Sequence, residues 1–122
     1  MKINKLKNVN DWEEFKKETS ADNELIIFKF SPICGVSFYV ENIFRDWADE
    51  LQESSRLRLS KVNVISARKL SQQIAGELNV SHESPQVIWL RADLTVKWNA
   101  SHYEINKAEM DKNLTFSHKK II

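Results

Sequence analysis

The spacing of hydrophobic residues along the chain predicts alternating strands and helices. Residues 25–30 are almost continuously apolar and are followed by Pro32, a pattern typical of a central strand that is covered on both faces. Beyond Cys34, apolar residues recur every three or four positions, so they share one face of a helix. These residues are Val36, Val40, Ile43, Phe44, Trp47 and Leu51. This stretch is the clearest helix signal in the sequence.

Capping patterns predict where the other helices begin. Asn10 followed by Glu13 indicates the start of a first helix, because an asparagine side chain can accept from the free N–H groups of a first turn. Asn106 followed by Glu109 indicates a last helix in the same way. Between them, Ser66 is expected to cap a helix with an apolar face.

Three further strands are predicted from short apolar runs. One lies near residues 61–65, and another follows Pro85 at residues 86–90. A polar turn then leads to a strand at residues 96–98, so the last two strands should form a hairpin. Helical crossovers give parallel strands and the hairpin adds antiparallel pairing, which predicts a mixed sheet.

The chain is therefore expected to form one α/β domain over residues 1–122, with a central mixed sheet flanked by helices. Its 122 residues suit a single domain. Residues 115–122 either extend the last helix or form a frayed tail. The sequence contains no internal repeat, linker or low-complexity segment.

Composition excludes several classes of function. Eighteen basic and seventeen acidic residues give a net charge of +1 without a block of one sign, which argues against nucleic acid as a partner. No apolar stretch reaches the length of a membrane span, so we expect a cytoplasmic protein without a membrane partner. One cysteine can form neither an internal disulfide nor a zinc site, and the three histidines fit no ligand motif. We expect no metal site.

Cys34 is the leading candidate for chemistry because it opens the strongest helix directly after a buried strand. Free N–H groups at a helix N-terminus favour the thiolate, which is the species that attacks disulfides. A structural cysteine is the alternative. Ser37 lies one helical turn further on, where its hydroxyl can donate to a thiolate or bond the open backbone. Because serine cannot resolve a mixed disulfide, an external thiol would have to complete the cycle.

The peptide bond between Ser84 and Pro85 is the second candidate for a functional site. A cis bond here would leave the backbone of Ser84 free to pair with an extended substrate. Lys29 is expected to extend from its strand to solvent, although its charge could also stabilise a thiolate. His82 and Glu83 flank the proline and could contact substrate, although a polar loop pair needs no function. No chemistry is expected of His102.

Three segments together resemble a known family: residues 28–37, 82–87 and 98–102. They resemble the monothiol bacilliredoxin-like proteins of the bacillithiol system, which have a thioredoxin-like fold. The resemblance implies that Cys34 is the reactive thiol and that Pro85 is a cis-proline facing it.

The same resemblance implies a reaction. Cys34 would take bacillithiol from mixed disulfides on cytoplasmic proteins, and a second bacillithiol would regenerate it. No cofactor would be bound, and S-thiolated proteins and the low-molecular-weight thiol would be the partners. Ser84, Pro85 and Gly35 would contact substrate. Gly35 departs from the proline expected after the cysteine, which leaves an additional backbone N–H near the thiolate.

Two alternatives remain open. Residues 32–37 are also similar to the motif of monothiol glutaredoxins that bind an iron–sulfur cluster with glutathione. That class carries a paired-glycine segment, whereas this chain has only two glycines, Gly35 and Gly76. The other alternative is a thioredoxin-fold adaptor without chemistry, which exposed aromatics such as Tyr39 would suit. An adaptor gives no reason for a cysteine at the helix start.

Overall fold

A computed structural model describes residues 1–19, 22–52 and 56–114. In chain order, the elements are β1 (Ile3–Lys5), α1 (Val9–Lys17), β2 (Glu24–Phe30), α2 (Gly35–Glu50), β3 (Leu57–Asn63), α3 (Arg68–Leu78), β4 (Gln86–Leu90), β5 (Val96–Ser101) and α4 (Lys107–Lys112), with a short 3-10 helix at His102–Glu104. From α1 to α4, this is the predicted order of strands and α-helices. The tail prediction for residues 115–122 lies outside the described residues.

The five strands form one mixed sheet in the order β1-β3-β2-β4-β5. β1, β3 and β2 are parallel, β4 runs antiparallel to β2, and β5 runs antiparallel to β4. The predicted mixed sheet and terminal hairpin are confirmed. Phe30 lies opposite Asn63, Lys29 opposite Gln86, and Gln86 opposite Ser101. The C-terminal ends of β2, β3 and β5 therefore meet the N-terminal end of β4 at one end of the sheet.

A hydrophobic layer covers each face of this sheet. Ile26 and Phe28 of β2 point into a layer formed with α2 and α4, where the Phe28 and Phe44 ring centroids are 4.8 Å apart. Leu25 and Ile27 point into the opposite layer, formed with α1 and α3. β2 is thus buried on both sides, as its continuous apolar run predicts. No helix in the described part of the chain is long and apolar enough to cross a membrane.

The predicted start of α1 at Asn10 is wrong by two residues. Asn8 caps the helix, and its side-chain oxygen accepts from the Asp11 N–H at 2.8 Å. Asp11 in turn accepts from the Lys7 N–H at 2.8 Å, so two free donors are satisfied by one pair of side chains. Asn10 is an exposed residue of the first turn.

The prediction that Ser66 caps α3 is also wrong. The cap residue is Ala67, which makes no side-chain hydrogen bond. Asn63 organises the approach instead, because its side chain accepts from the N–H groups of Ile65 and Ser66 at 3.0 and 3.1 Å. By contrast, the predicted cap of α4 is confirmed: Asn106 accepts from the Glu109 N–H at 2.9 Å.

Two strand boundaries differ from the predictions. β3 occupies Leu57–Asn63 rather than residues 61–65, because its buried positions begin at Leu57 and Leu59 and alternate with the partly exposed Arg58. β5 continues to Ser101, beyond the predicted end at residue 98. This extension carries the strand to the end of the sheet where Cys34 lies.

The cap of α1 is testable with two asparagines of opposite role. We expect Asn8→Ala to lower the free energy of unfolding by about 1 kcal/mol, because the Asp11 N–H loses its acceptor. Asn10→Ala should change that free energy by less than about 0.5 kcal/mol, since Asn10 caps nothing. Urea unfolding of both variants measures the difference. Equal losses would contradict the assignment of the cap.

Candidate functional site

Three segments converge at the end of the sheet where β2 finishes. The turn after β2 carries Cys34, the loop before β4 carries Ser84 and Pro85, and β5 ends at Ser101. The registers of β2 with β4 and of β4 with β5 place these segments side by side. The sheet thus brings together the two candidate regions that lie 50 residues apart in sequence.

The turn that presents Cys34 is closed by backbone hydrogen bonds. The Cys34 N–H donates to the Ser31 carbonyl at 3.4 Å, and the Cys34 carbonyl accepts from the Phe38 N–H at 3.1 Å. Cys34 is the N-cap residue of α2 with an extended backbone, and its side chain forms no capping bond. The thiol is partly exposed. It can therefore meet a reactant from solvent.

Polar groups in the first turn of α2 lower the pKa of the thiol, although the Cys34 side chain makes no capping hydrogen bond. The backbone N–H of Ser37 has the largest effect and lowers the pKa of the Cys34 thiol; the Val36 N–H and the Ser37 hydroxyl lower it further. Partial desolvation acts in the opposite direction, but the net pKa lies below its ordinary value. These donors stabilise the thiolate, so a larger fraction of Cys34 is nucleophilic near neutral pH.

Ser37 is a buried residue with two contacts. Its hydroxyl oxygen accepts from the Ser31 N–H at 3.0 Å. The same hydroxyl lowers the pKa of the Cys34 thiol. It is 1% exposed. The side chain therefore ties the end of the turn to the helix and helps to set the thiol pKa, which combines the two roles considered for it from sequence.

Gly35 is exposed, and a Cβ at this position would have no atom within 4 Å. Neither space nor backbone conformation requires glycine here. The backbone donors that lower the pKa of Cys34 are those of Ser37 and Val36. Contact between Gly35 and substrate stays a prediction.

The loop before β4 contains a cis peptide bond between Ser84 and Pro85, as the family resemblance implies. Pro85 is buried, and its carbonyl accepts from the His102 N–H at 3.0 Å. The backbone N–H and carbonyl of Ser84 have no hydrogen-bond partner among the described residues. The buried Ser84 hydroxyl also has no partner within that part of the chain. This backbone is available to pair with a ligand.

Lys29 does not reach solvent, so the expectation of a solvent-facing lysine is wrong. It is fully buried, and its ammonium donates to the Ser71 carbonyl at 2.9 Å. The His82 Nδ1 lies 3.4 Å from the same ammonium nitrogen. Burial lowers the pKa of Lys29 to about 8. Lys29 lies on the α3 face of the sheet and is not among the groups that set the pKa of Cys34.

The polar residues beside the proline have different surroundings. His82 also places Nδ1 3.3 Å from the Ser71 hydroxyl, and desolvation, with the nearby Lys29 charge, lowers its pKa. Glu83 lies 4.0 Å from His102 Nε2, and both side chains are about half exposed, so this pair contributes little stability. Across the described residues, no three His, Cys, Asp or Glu side chains are placed to hold a metal ion.

Comparison with known families decides the class of protein. The sequence profile of the family described as monothiol bacilliredoxin BrxC matches residues 4–110. The chain belongs to this bacilliredoxin family. Because its members are thioredoxin-fold redox proteins, a thiol oxidoreductase role is supported for the chain.

Solved structures agree on the fold of this bacilliredoxin family member. A protein described as a proposed oxidoreductase with a thioredoxin fold is 25% identical, with a TM-score of 0.76 and coverage of 90% of this chain and 91% of that one. Thioredoxin from Fasciola hepatica is 18% identical, with a TM-score of 0.71 and coverage of 96% and 100%. Schistosoma mansoni thioredoxin pre-protein is 18% identical, with a TM-score of 0.71 and coverage of 94% and 100%.

Most of an exposed apolar group near the thiol is not predicted from sequence. Ile33 precedes Cys34 and is 83% exposed, and Phe38, one turn later, is 70% exposed. Tyr39 and Tyr103 are also exposed, and their ring centroids lie 6.0 Å apart in an edge-to-face arrangement. Only Tyr39 was expected to be exposed. The signal available in the sequence was that large apolar residues lie outside the buried face of α2.

The role of Ser37 is testable through the titration of Cys34. We expect Ser37→Ala to raise the pKa of the Cys34 thiol, because one hydroxyl donor is lost. It should also lower the free energy of unfolding by about 1 kcal/mol, because the Ser31 N–H loses its acceptor. The pH dependence of iodoacetamide alkylation gives the pKa. Ser66→Ala, an exposed serine that caps no helix, is the control.

Thiol–disulfide exchange at Cys34 should be slower, but not abolished, in the Ser37→Ala variant. An unchanged alkylation midpoint would contradict the donor role assigned to Ser37. Complete inactivity of a folded Ser37→Ala protein would show that this residue does more than assist the thiolate.

Burial of Lys29 predicts a pH-dependent stability. Its pKa is about 8 when folded and 10.5 when exposed, so between these values the unfolded chain binds more protons. The free energy of unfolding should therefore rise with pH across this window, by up to about 3 kcal/mol in total. Lys29→Met should lack this contribution. Urea unfolding of both proteins at pH 8 and pH 10 tests it, and parallel pH dependences would contradict it.

Proposed function

We propose that this bacilliredoxin family member removes bacillithiol from mixed disulfides on cytoplasmic proteins. The observation that carries the proposal is a single, partly exposed thiol whose pKa is lowered by donors at the start of α2. Ser37 occupies the position one turn beyond Cys34, so no second thiol is available within the motif. This arrangement favours a cycle that is completed by an external thiol.

The first step of the proposed reaction transfers bacillithiol to Cys34. The Cys34 thiolate attacks the bacillithiol sulfur of the mixed disulfide, a new Cys34–bacillithiol disulfide forms, and the target protein leaves as a thiolate. In the second step, a second bacillithiol thiolate attacks the bacillithiol sulfur bound to Cys34. Bacillithiol disulfide is released and the Cys34 thiolate is restored. One mixed disulfide and one thiol therefore give one protein thiol and one low-molecular-weight disulfide.

The loop before β4 supports the orientation of this reaction. The Ser84 backbone lies at the same end of the sheet as Cys34 and has no hydrogen-bond partner among the described residues. It is suited to pair with the amide groups beside the attacked sulfur, because bacillithiol carries its thiol on a cysteinyl amide. Membership of the bacilliredoxin family favours bacillithiol over glutathione as the thiol.

Intact-mass analysis tests the choice of thiol. Reduced protein is incubated in parallel with bacillithiol disulfide, glutathione disulfide and coenzyme A disulfide. We expect a rapid adduct with bacillithiol, which is reversed by a reductant, and slower reactions with the other two disulfides. Cys34→Ser should form no adduct, because the chain has no other cysteine.

Other outcomes would redirect the assignment. A preference for glutathione would overturn the bacillithiol proposal and favour the glutaredoxin alternative. No adduct with any disulfide, together with alkylation no faster than that of an ordinary thiol, would favour a non-catalytic adaptor.

A further inference from the structure

Lys29 is a buried cation that the thiol chemistry does not explain. It is 0% exposed, and no carboxylate among the described residues lies within ion-pair distance of it. A buried charge without a counter-ion is costly, and its pKa shift reflects this cost. An apolar residue would fill a strand interior more cheaply. The polar contacts of Lys29 therefore offer an explanation for a lysine at this buried position.

Those contacts join α3 to the loop before β4. The ammonium donates to the Ser71 carbonyl at 2.9 Å and lies 3.4 Å from His82 Nδ1. His82 Nδ1 is also 3.3 Å from the Ser71 hydroxyl. With Nδ1 acting as the acceptor, the ring proton of a neutral His82 lies on Nε2. Lys29 thus contacts the loop of residues 81–85 from the α3 face of the sheet, through the side chain of His82.

A second buried side chain anchors the same loop. Gln86 lies opposite Lys29 in the sheet and is 1% exposed. Its side-chain amide donates to the Ser81 carbonyl at 2.9 Å. Ser81 and His82, which lie three and two residues before Ser84, are therefore both held by neighbouring positions on the α3 face of the sheet.

We propose that Lys29 is a positioning residue that fixes the Ser81–Pro85 loop relative to Cys34. By holding His82, it keeps the unpaired Ser84 backbone where it can pair with the amide beside the attacked sulfur. The inference rests on the proposed exchange reaction. It assigns Lys29 to orienting the substrate and leaves the activation of the thiolate to Ser37 and Val36.

The sheet separates these two tasks physically. Lys29 faces α3, whereas Cys34 opens α2, which packs on the opposite face. A role for Lys29 in lowering the pKa of Cys34 would require its charge to act across the sheet. A positioning role requires only its observed contacts with Ser71 and His82.

The test compares Lys29→Met with Ser60→Ala. Methionine keeps the length of the side chain and removes its donors. Ser60 is equally buried, and its hydroxyl donates to the Ile26 carbonyl at 3.0 Å. We expect Lys29→Met to slow exchange with an S-bacillithiolated protein about tenfold, because a small misplacement of substrate is costly. Its alkylation by iodoacetamide and the pKa of Cys34 should match the wild type. Ser60→Ala should leave all three unchanged.

His82→Ala provides a second route if Lys29→Met fails to fold. This substitution removes the histidine ring that Lys29 contacts. It should slow exchange with the S-bacillithiolated protein to a similar degree. The double variant should be no slower than either single variant, because both remove the same contact. Exchange within twofold of the wild type in both folded single variants would overturn the inference, as would a shift in the pKa of Cys34 in Lys29→Met.

Backbone ¹⁵N order parameters of residues 81–84 separate this inference from the proposed function, because they report the mobility of the loop directly. Lower order parameters in Lys29→Met, but not in Ser60→Ala, would support the anchoring role even if the wild type transferred no bacillithiol. Unchanged order parameters in Lys29→Met would overturn the anchoring role whatever the activity of the wild type.

Discussion

β2 is buried on both faces, and its position fixes the positions of the helices and strands around it. A strand in this position must pack against helices on each side, so its odd and even residues enter separate hydrophobic layers. Its end is consequently fixed against β3 on one side and β4 on the other. The turn that follows begins from a rigid point and delivers Cys34 directly to the start of α2. The position of the thiol is therefore set by the core.

The same alternation divides the functional end of the molecule into two parts. On the α2 side, polar groups of the first helical turn lower the pKa of the Cys34 thiol and so favour its ionised form. On the α3 side, Lys29 and Gln86 contact the loop that carries Ser84 and Pro85. In the proposed reaction, the first part sets how reactive the thiol is and the second sets where a substrate lies against it. Ile33 and Phe38 are exposed to solvent beside Cys34.

Much of this arrangement could be predicted from sequence because its signals are local. The apolar run of β2, the helical spacing after Cys34 and the three-residue interval to Ser37 each depend on neighbouring positions. The cap of α1 could not be resolved, because Asn8 with Asp11 and Asn10 with Glu13 fit the same pattern. The burial of Lys29 could not be predicted for a different reason. Its partners Ser71 and His82 lie 42 and 53 residues away in sequence. Only the sheet brings them together.

In the proposed cycle, Cys34 attacks the bacillithiol sulfur and an external thiol restores the Cys34 thiolate. A single-turnover experiment followed by mass spectrometry tests it most directly, using reduced protein with an equal amount of an S-bacillithiolated protein and no free bacillithiol. We expect each bacillithiol transferred to Cys34 to release one target thiol, and the adduct to persist until bacillithiol is added. Accumulation of a disulfide between Cys34 and the target protein, or no transfer at all, would contradict it.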